Sequence, residues 1–210
     1  MPGVQVLPPE EIRILGVLVE KERTVPDSYP LTLNALTNGC NQTSNRDPVT
    51  TYESGEVEAA LRSLREKGLT RVVHSPSNRA EKFRHVLGDA FGLEADVLAV
   101  LAVLLLRGPQ TANELRIRTE RYEPGVPDVE AALRVLSTRD EPLAVNIGRR
   151  SGQREERWMH LLAGEVSADD FAAAPSSSPG PGSSSSLADR VAALEERMAA
   201  LEAALGGTEP

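Results

Sequence analysis

The sequence predicts an α+β protein, mainly α with small β-hairpins, in which one small unit is used twice. Three observations lead there. Val57-Glu58-Ala59-Ala60-Leu61-Arg62 recurs 72 residues later as Val129-Glu130-Ala131-Ala132-Leu133-Arg134, with a Leu two residues on in both copies (Leu64, Leu136). Glu81-Lys82-Phe83-Arg84-His85-Val86-Leu87 is echoed by Glu156-Arg157-Trp158-Met159-His160-Leu161-Leu162, which matches Glu, an aromatic, His and Leu at equal spacing. The two blocks come in the same order both times, and such self-similarity is the mark of a repeated supersecondary unit.

Each element of the first copy has a local cause. Pro9 with Glu10 and Glu11 suits a helix start, where proline costs no hydrogen bond and carboxylates meet the positive end of the dipole. Ile12, Leu15 and Val19, with Ile14 and Leu18, then predict a helical apolar face. The turn Val25-Pro26-Asp27-Ser28-Tyr29-Pro30 ends that helix, and Thr32 is placed to cap a short second helix with Leu33, Leu36 and Cys40 inward. After a polar loop from Asn41 to Tyr52, Val57, Ala60, Leu61 and Leu64 set the buried face of a third helix that ends at Gly68. Leu69–Ser75 and Glu81–Leu87 read as two strands around a turn at residues 76–80. The second copy repeats this order: a helix over Glu94–Leu106 stopped by Gly108-Pro109, a short helix over Thr111–Thr119, a third with Val129, Ala132, Leu133 and Leu136 inward, and a hairpin over Leu143–Ile147 and Glu155–Leu162. Three helices and a two-stranded hairpin are the order of a winged helix-turn-helix. Two tandem modules are therefore expected, at residues 7–92 and 93–164.

The remainder has a different character. Residues 165–186 are expected to be a flexible linker, because Ala172–Ser186 is almost wholly Ala, Pro, Ser and Gly and cannot bury enough apolar surface to fold. Residues 187–206 predict a short C-terminal coiled-coil helix. Leu187, Leu194 and Leu201 fall at d, and Val191, Met198 and Leu205 at a. In that register Arg190 and Arg197 at g face Glu195 and Glu202 at e of a parallel partner, so a homodimer through this helix is expected. A single amphipathic helix packed on the chain's own surface is the alternative.

The stretch Asp27-Ser28-Tyr29-Pro30-Leu31-Thr32-Leu33-Asn34-Ala35-Leu36-Thr37-Asn38-Gly39-Cys40-Asn41-Gln42-Thr43-Ser44-Asn45-Arg46-Asp47-Pro48-Val49 closely resembles the signature of the YceH-like family of bacterial proteins. The resemblance runs from about Leu7 to Leu162 and implies the same tandem winged-helix fold. It brings little mechanism with it, and nothing for the tail.

Composition narrows the function classes. Aromatics are only 3%, so the core has to be built from Leu, Val, Ile and Ala. The longest apolar run, Val97–Leu106, is half of a membrane span, and Met1–Leu7 has neither part of a signal peptide, so a cytoplasmic chain with no membrane partner is expected. The one cysteine, Cys40, excludes an internal disulfide and Cys-rich zinc modules, and a buried inert thiol is expected there. His74, His85 and His160 are far apart and lack metal-ligand spacing, and no phosphate-binding glycine loop occurs. No metal, no cofactor and no catalytic residue is expected, and His85 and His160 read as structural histidines at the edge of each core.

The formal charge of -8 is concentrated in the tail. Residues 1–92 carry 11 basic and 12 acidic side chains, residues 93–162 carry 10 and 11, and residues 163–210 carry 2 and 8. Phosphate binding then depends on where the arginines sit. On the third helices, Gly55, Ala59, Arg62 and Glu66 lie opposite the core in one copy, and Pro127, Ala131, Arg134 and Thr138 in the other. Arg62 and Arg134 could pair with guanine or clamp a phosphate, or could be solvated partners of Glu58 and Glu130. On the wings, Arg149, Arg150 and Arg154 form a basic tip, and Arg79 and Lys82 a thinner one. The loop residues Asn41, Gln42, Ser44, Asn45 and Arg46 either contact DNA or fold on themselves. Acidic side chains at the helix starts (Glu53, Glu56, Glu58, Asp128, Glu130) stand against phosphate contact. The function expected is double-stranded DNA binding by a transcriptional regulator; a non-catalytic scaffold for protein partners is the alternative.

Overall fold

In the computed structural model, residues 6–74, 80–123, 125–149 and 153–166 are described, and all of them fall in one unit spanning residues 1–174. The expected linker from residue 167 onward, the seam from Leu187 to Leu205, Arg79 and Arg150 lie outside the described residues. The fold is mixed α+β, with seven α-helices among the described residues and two three-stranded antiparallel sheets.

Helix α1 (Pro9–Thr24) starts where Pro9, Glu10 and Glu11 predict, and α2 (Leu33–Cys40) is capped by Thr32, whose hydroxyl accepts from the Ala35 amide at 3.3 Å. Helix α3 (Ser54–Glu66) begins with a reciprocal capping box between Glu53 and Glu56 and buries Val57, Ala60, Leu61 and Leu64. Strands β1 (Leu31–Thr32), β2 (Thr70–Val73) and β3 (Lys82–His85) form one sheet in the order β1-β3-β2. A short α4 (Leu87–Phe91), ended by Gly92 at φ +60°, leads into the second half. There α5 (Ala95–Arg107), α6 (Ala112–Thr119) and α7 (Val129–Ser137) repeat the first three helices. The sheet β4-β6-β5 repeats the first one, from Gln110–Thr111, Arg157–His160 and Ala144–Gly148.

The repeat extends to single hydrogen bonds. Leu69 N donates to Leu64 O and Leu143 N to Leu136 O, both at 2.9 Å; Val86 N donates to Leu69 O and Leu161 N to Leu143 O, at 3.0 and 2.8 Å. The sheets have one strand more than the expected hairpins. Each extra strand is the two residues before a helix, ending on its N-cap threonine. An N-cap already sits in the extended region, at ψ 162° for Thr32 and 161° for Thr111, so the capping backbone doubles as a strand.

The core departs further from a simple amphipathic reading. Every residue from Glu11 to Glu20 in α1 and from Val97 to Leu106 in α5 is buried, because these two helices pack on each other between the remaining elements. Their approach requires Gly16: a Cβ there would lie 2.8 Å from Leu106 Cδ2 and 3.2 Å from Leu105 Cβ. One continuous apolar cluster runs through both halves, from Leu7 to Leu162, and the Leu7 amide donates to Leu162 O at 2.7 Å. A helix buried all round has to satisfy its charged residues internally, and α1 carries three within that stretch: Glu11, Arg13 and Glu20.

Candidate nucleic-acid interface

The outer face of α3 is the one expected: Gly55, Ala59, Arg62 and Glu66 are all exposed. Arg62 makes no hydrogen bond or ion pair with a described residue. The Glu53 and Glu56 side chains are engaged in the capping box, where Glu56 Oε2 accepts from the Glu53 amide at 2.7 Å. Their charge stays at the first turn of α3, and Arg62 lies two turns further on.

The register of the first sheet brings cations together that the sequence scatters. Arg71 stands directly opposite Arg84, and Lys82 opposite both Val73 and Thr32. Residues alternate across a strand, so Lys82 and Arg84 share one face of β3 and Arg71 joins them, while Thr70, Val72, Phe83 and His85 take the other face. Arg71 and Arg84 are exposed and Lys82 is half-buried. Like charges directly opposite cost stability in a sheet, and an anion lying across the face would offset that cost. Sequence reasoning selected Lys82 and missed Arg71 and Arg84. The alternation around both arginines was visible, but their pairing depends on the register in which the two strands meet.

The second sheet has a different outer face. Val145 and Met159 occupy the places of Arg71 and Arg84, and Arg157 that of Lys82. Arg157 is tied inward, to Glu114 Oε2 and Pro109 O, both at 3.0 Å. Arg134 on α7 is exposed and lies 3.9 Å from Asp128, not on Glu130, because Glu130 pairs with Arg116 at 3.1 Å. Arg149 is exposed at 3.7 Å from Glu156, and Arg154 is exposed with no described partner. At the tip end of β5 the Gly148 amide donates to Asn146 Oδ1 at 2.8 Å, and Gly148 takes φ +76°, where the strand register shifts.

The polar loop turns its key side chains inward. Asn41 exchanges two 2.8 Å hydrogen bonds with the Tyr52 backbone, one to each of its groups. Arg46 is fully buried and uses all five of its N–H donors: Nη1 and Nη2 fork onto Glu20 at 3.1 and 2.6 Å, Nε reaches Gly39 O at 2.9 Å, and the last two reach Asn45 O and Gln42 Oε1 at 2.8 and 2.7 Å. Arg121, from the second half, also pairs with Glu20. Burial would raise the Glu20 pKa, but the hydrogen bonds and charge of Arg46, with the charges of Arg121 and Lys21, hold it below the usual carboxylate value. The loop reaches the second half at a further point, where the Asp47 amide donates to Leu106 O at 2.9 Å. Ser44 is exposed and Asn45 half-buried. The signature stretch thus braces the two halves, with Glu20 as the shared anion.

The histidines differ despite their equivalent positions. His85 Nδ1 accepts from the Leu87 amide at 3.3 Å, so Nε2 carries the proton and donates to Glu22 at 2.8 Å. The His85 amide donates to the Tyr29 hydroxyl at 2.9 Å. His160 is equally buried, its Nδ1 has no partner, and burial pushes its pKa down to about 4. Cys40 is buried and its thiol is pushed up to about 12 by that burial, which leaves it unionised and inert at neutral pH. Among the described residues no group of three His, Cys, Asp or Glu side chains converges on a metal position, and no helix is long and apolar enough to cross a membrane.

Comparisons with known proteins agree on one family. The model described as "Protein of unknown function, DUF480" matches residues 7–153. The UPF0502 protein BamMC406_5439 of Burkholderia ambifaria (strain MC40-6) is 49% identical over 168 residues, covering 79% of this chain and 70% of that one. The UPF0502 protein of Burkholderia multivorans (strain ATCC 17616 / 249) is 50% identical over 170 residues, covering 80% and 72%.

Proposed function

The chain belongs to the DUF480 (UPF0502) family, whose description assigns no activity, and from its own surface we propose that it is a non-catalytic DNA-binding protein of the transcriptional-regulator type, built from two tandem winged helix-turn-helix modules. The observation that carries this reading is the outward face of the first sheet, where strand register brings Arg71, Arg84 and Lys82 together; the exposed Arg62 of α3 has no described partner. In such a module the third helix enters the major groove and the wing lies along the backbone. The division of labour follows from the chemistry. The sheet cations take phosphates, which position the protein, and Arg62 reaches a base edge beside Ala59, whose small side chain permits close approach. Arg149 and Arg154 extend the phosphate contacts on the second wing, with Arg79 and Arg150 added from the sequence. A homodimer through the C-terminal heptads would place two such chains on one duplex, in the cytoplasm where the DNA is.

The alternative, a scaffold for protein partners, draws on the second sheet, where Val145 and Met159 replace the cations, and on Val135, exposed on α7 at 44%. Fluorescence anisotropy of labelled random-sequence duplex separates the two. DNA binding predicts an affinity that falls steeply with salt. Each phosphate that a cation neutralises adds roughly 0.9 to the slope of log K against log salt, so Arg71→Ala/Arg84→Ala should reduce that slope by about 2. No binding even at low salt overturns the reading and leaves the scaffold.

A further inference from the structure

A second basic cluster lies away from that face, in the seam between the halves. A cavity of about 220 Å³ opens where α5 and α6 meet the loop after α2, and Arg107, Arg118 and Arg121 line it together with Val103, Leu106 and Ile117. Arg121 is engaged: it pairs with Glu20 and its guanidinium stands 5.5 Å from the centre of the Tyr122 ring. Arg107 and Arg118 are not engaged in the same way. Nη1 of each is buried without a hydrogen-bond acceptor. The carboxylate nearest Arg118 is Glu114, whose Oε2 is 3.8 Å away and already accepts from Arg157 at 3.0 Å and from the Thr111 amide at 2.9 Å. The Tyr122 hydroxyl, also in the lining, is buried with no acceptor, and burial pushes its pKa up to about 12, so it keeps its proton.

Buried donors without acceptors are costly, more so when charged, and their clustering calls for a missing acceptor. The charges point the same way. Burial lowers the Arg107 pKa, and Arg118, Arg121 and Arg46 lower it further, with Asp47 as the opposing charge. The remaining wall is Asn45 from the loop and the apolar Val103, Leu106 and Ile117, of which Ile117 on α6 keeps 58% of its surface exposed beside these cations. We propose that this cavity is a binding site for a small amphipathic anion, its carboxylate or phosphate head received by Arg107 and Arg118 and its apolar body lying on Val103, Leu106 and Ile117. A cavity of this volume is many times what a single water needs, so it has room for an anionic head and a small apolar body. The ligand bridges the second half to the signature loop, so its binding stabilises the seam. None of these arginines belongs to the basic face used in the DNA reading, and the two proposals stand or fall separately.

The test uses the full chain with benzoate and phenyl phosphate as probes, benzyl alcohol as the uncharged counterpart and inorganic phosphate as the head alone. Titration is followed by the arginine Nε–Hε resonances and by thermal unfolding. The expected result is saturable binding of benzoate or phenyl phosphate that shifts Arg107 and Arg118, leaves Arg62 in place and raises Tm, with no effect of benzyl alcohol. Arg118→Gln should weaken binding about tenfold or more while the ligand-free Tm stays level or rises, because a like charge has left the cluster. Ile117→Asp, a change at an exposed position that does not threaten folding, should weaken both aromatic probes comparably. The proposal is overturned if no probe shifts Arg107 and Arg118, if the shifts persist in both variants, or if inorganic phosphate reproduces them without saturation.

Discussion

Acidification should destabilise this fold through His160 before its carboxylates are protonated. The residue is 4% exposed, its Nδ1 has no partner, and burial alone depresses its pKa from 6.5 to about 4. The unfolded chain therefore takes up a proton that the folded chain refuses. Stability is fully present above pH 6.5 and is lost as pH falls from 6.5 towards 4. At about 1.36 kcal/mol per unit the limit of the loss is about 3 kcal/mol, and near pH 5 it amounts to about 2 kcal/mol. Glu20 and Glu22 are both held below 4.5, so their stabilisation is lost mainly below that value and the window between 4.5 and 6.5 is left to histidine. Urea unfolding near pH 7 and near pH 5 measures the effect. With a urea dependence of about 2 kcal/mol per molar, the midpoint should drop by about 1 M. His160→Leu keeps the site apolar and cancels the drop, and comparing it with the parent chain removes the contributions of His74 and His85. Equal pH dependence in the variant and the parent would refute the reasoning, as would a parent midpoint that stays level between the two pH values.

Three further outcomes follow from the packing. Gly16→Ala should destabilise by about 1–3 kcal/mol in urea unfolding, since the new Cβ would lie 2.8 Å from Leu106 and force α1 and α5 apart. Arg46→Met should cost about 3–5 kcal/mol because Glu20 stays buried with Arg121 as its main remaining counter-charge, and the double variant Arg46→Met/Glu20→Leu should recover a large part of that loss in the same assay. Thr111→Ala removes the hydroxyl that accepts from the Glu114 amide at 3.1 Å, and should cost about 1 kcal/mol by thermal or urea unfolding.

The local grammar of the chain was legible in its residues. The helix starts at Pro9 and at the threonine caps, the inward faces of α3 and α7, and the positions of the hairpins each follow from interactions within a few residues, and the repeat doubled the weight of every reading. The tertiary structure decided what local sequence does not encode. The apolar pattern of α1 has room for a polar face, yet α1 is buried all round because the distant α5 packs on it and Gly16 lets it approach. The two-residue strands are too short for any periodicity and exist because β3 and β6 offer them partners. The polar loop around Arg46 left contact with DNA and folding on itself equally open; the carboxylate that decides for the second is on α1, 26 residues earlier. Arg71 and Arg84 become one patch only through strand register. Side-chain chemistry and spacing determine elements, because hydrogen bonds and caps act within a turn or two. Burial, register and the pairing of charges depend on which distant surfaces meet, and only the folded chain brings those surfaces together.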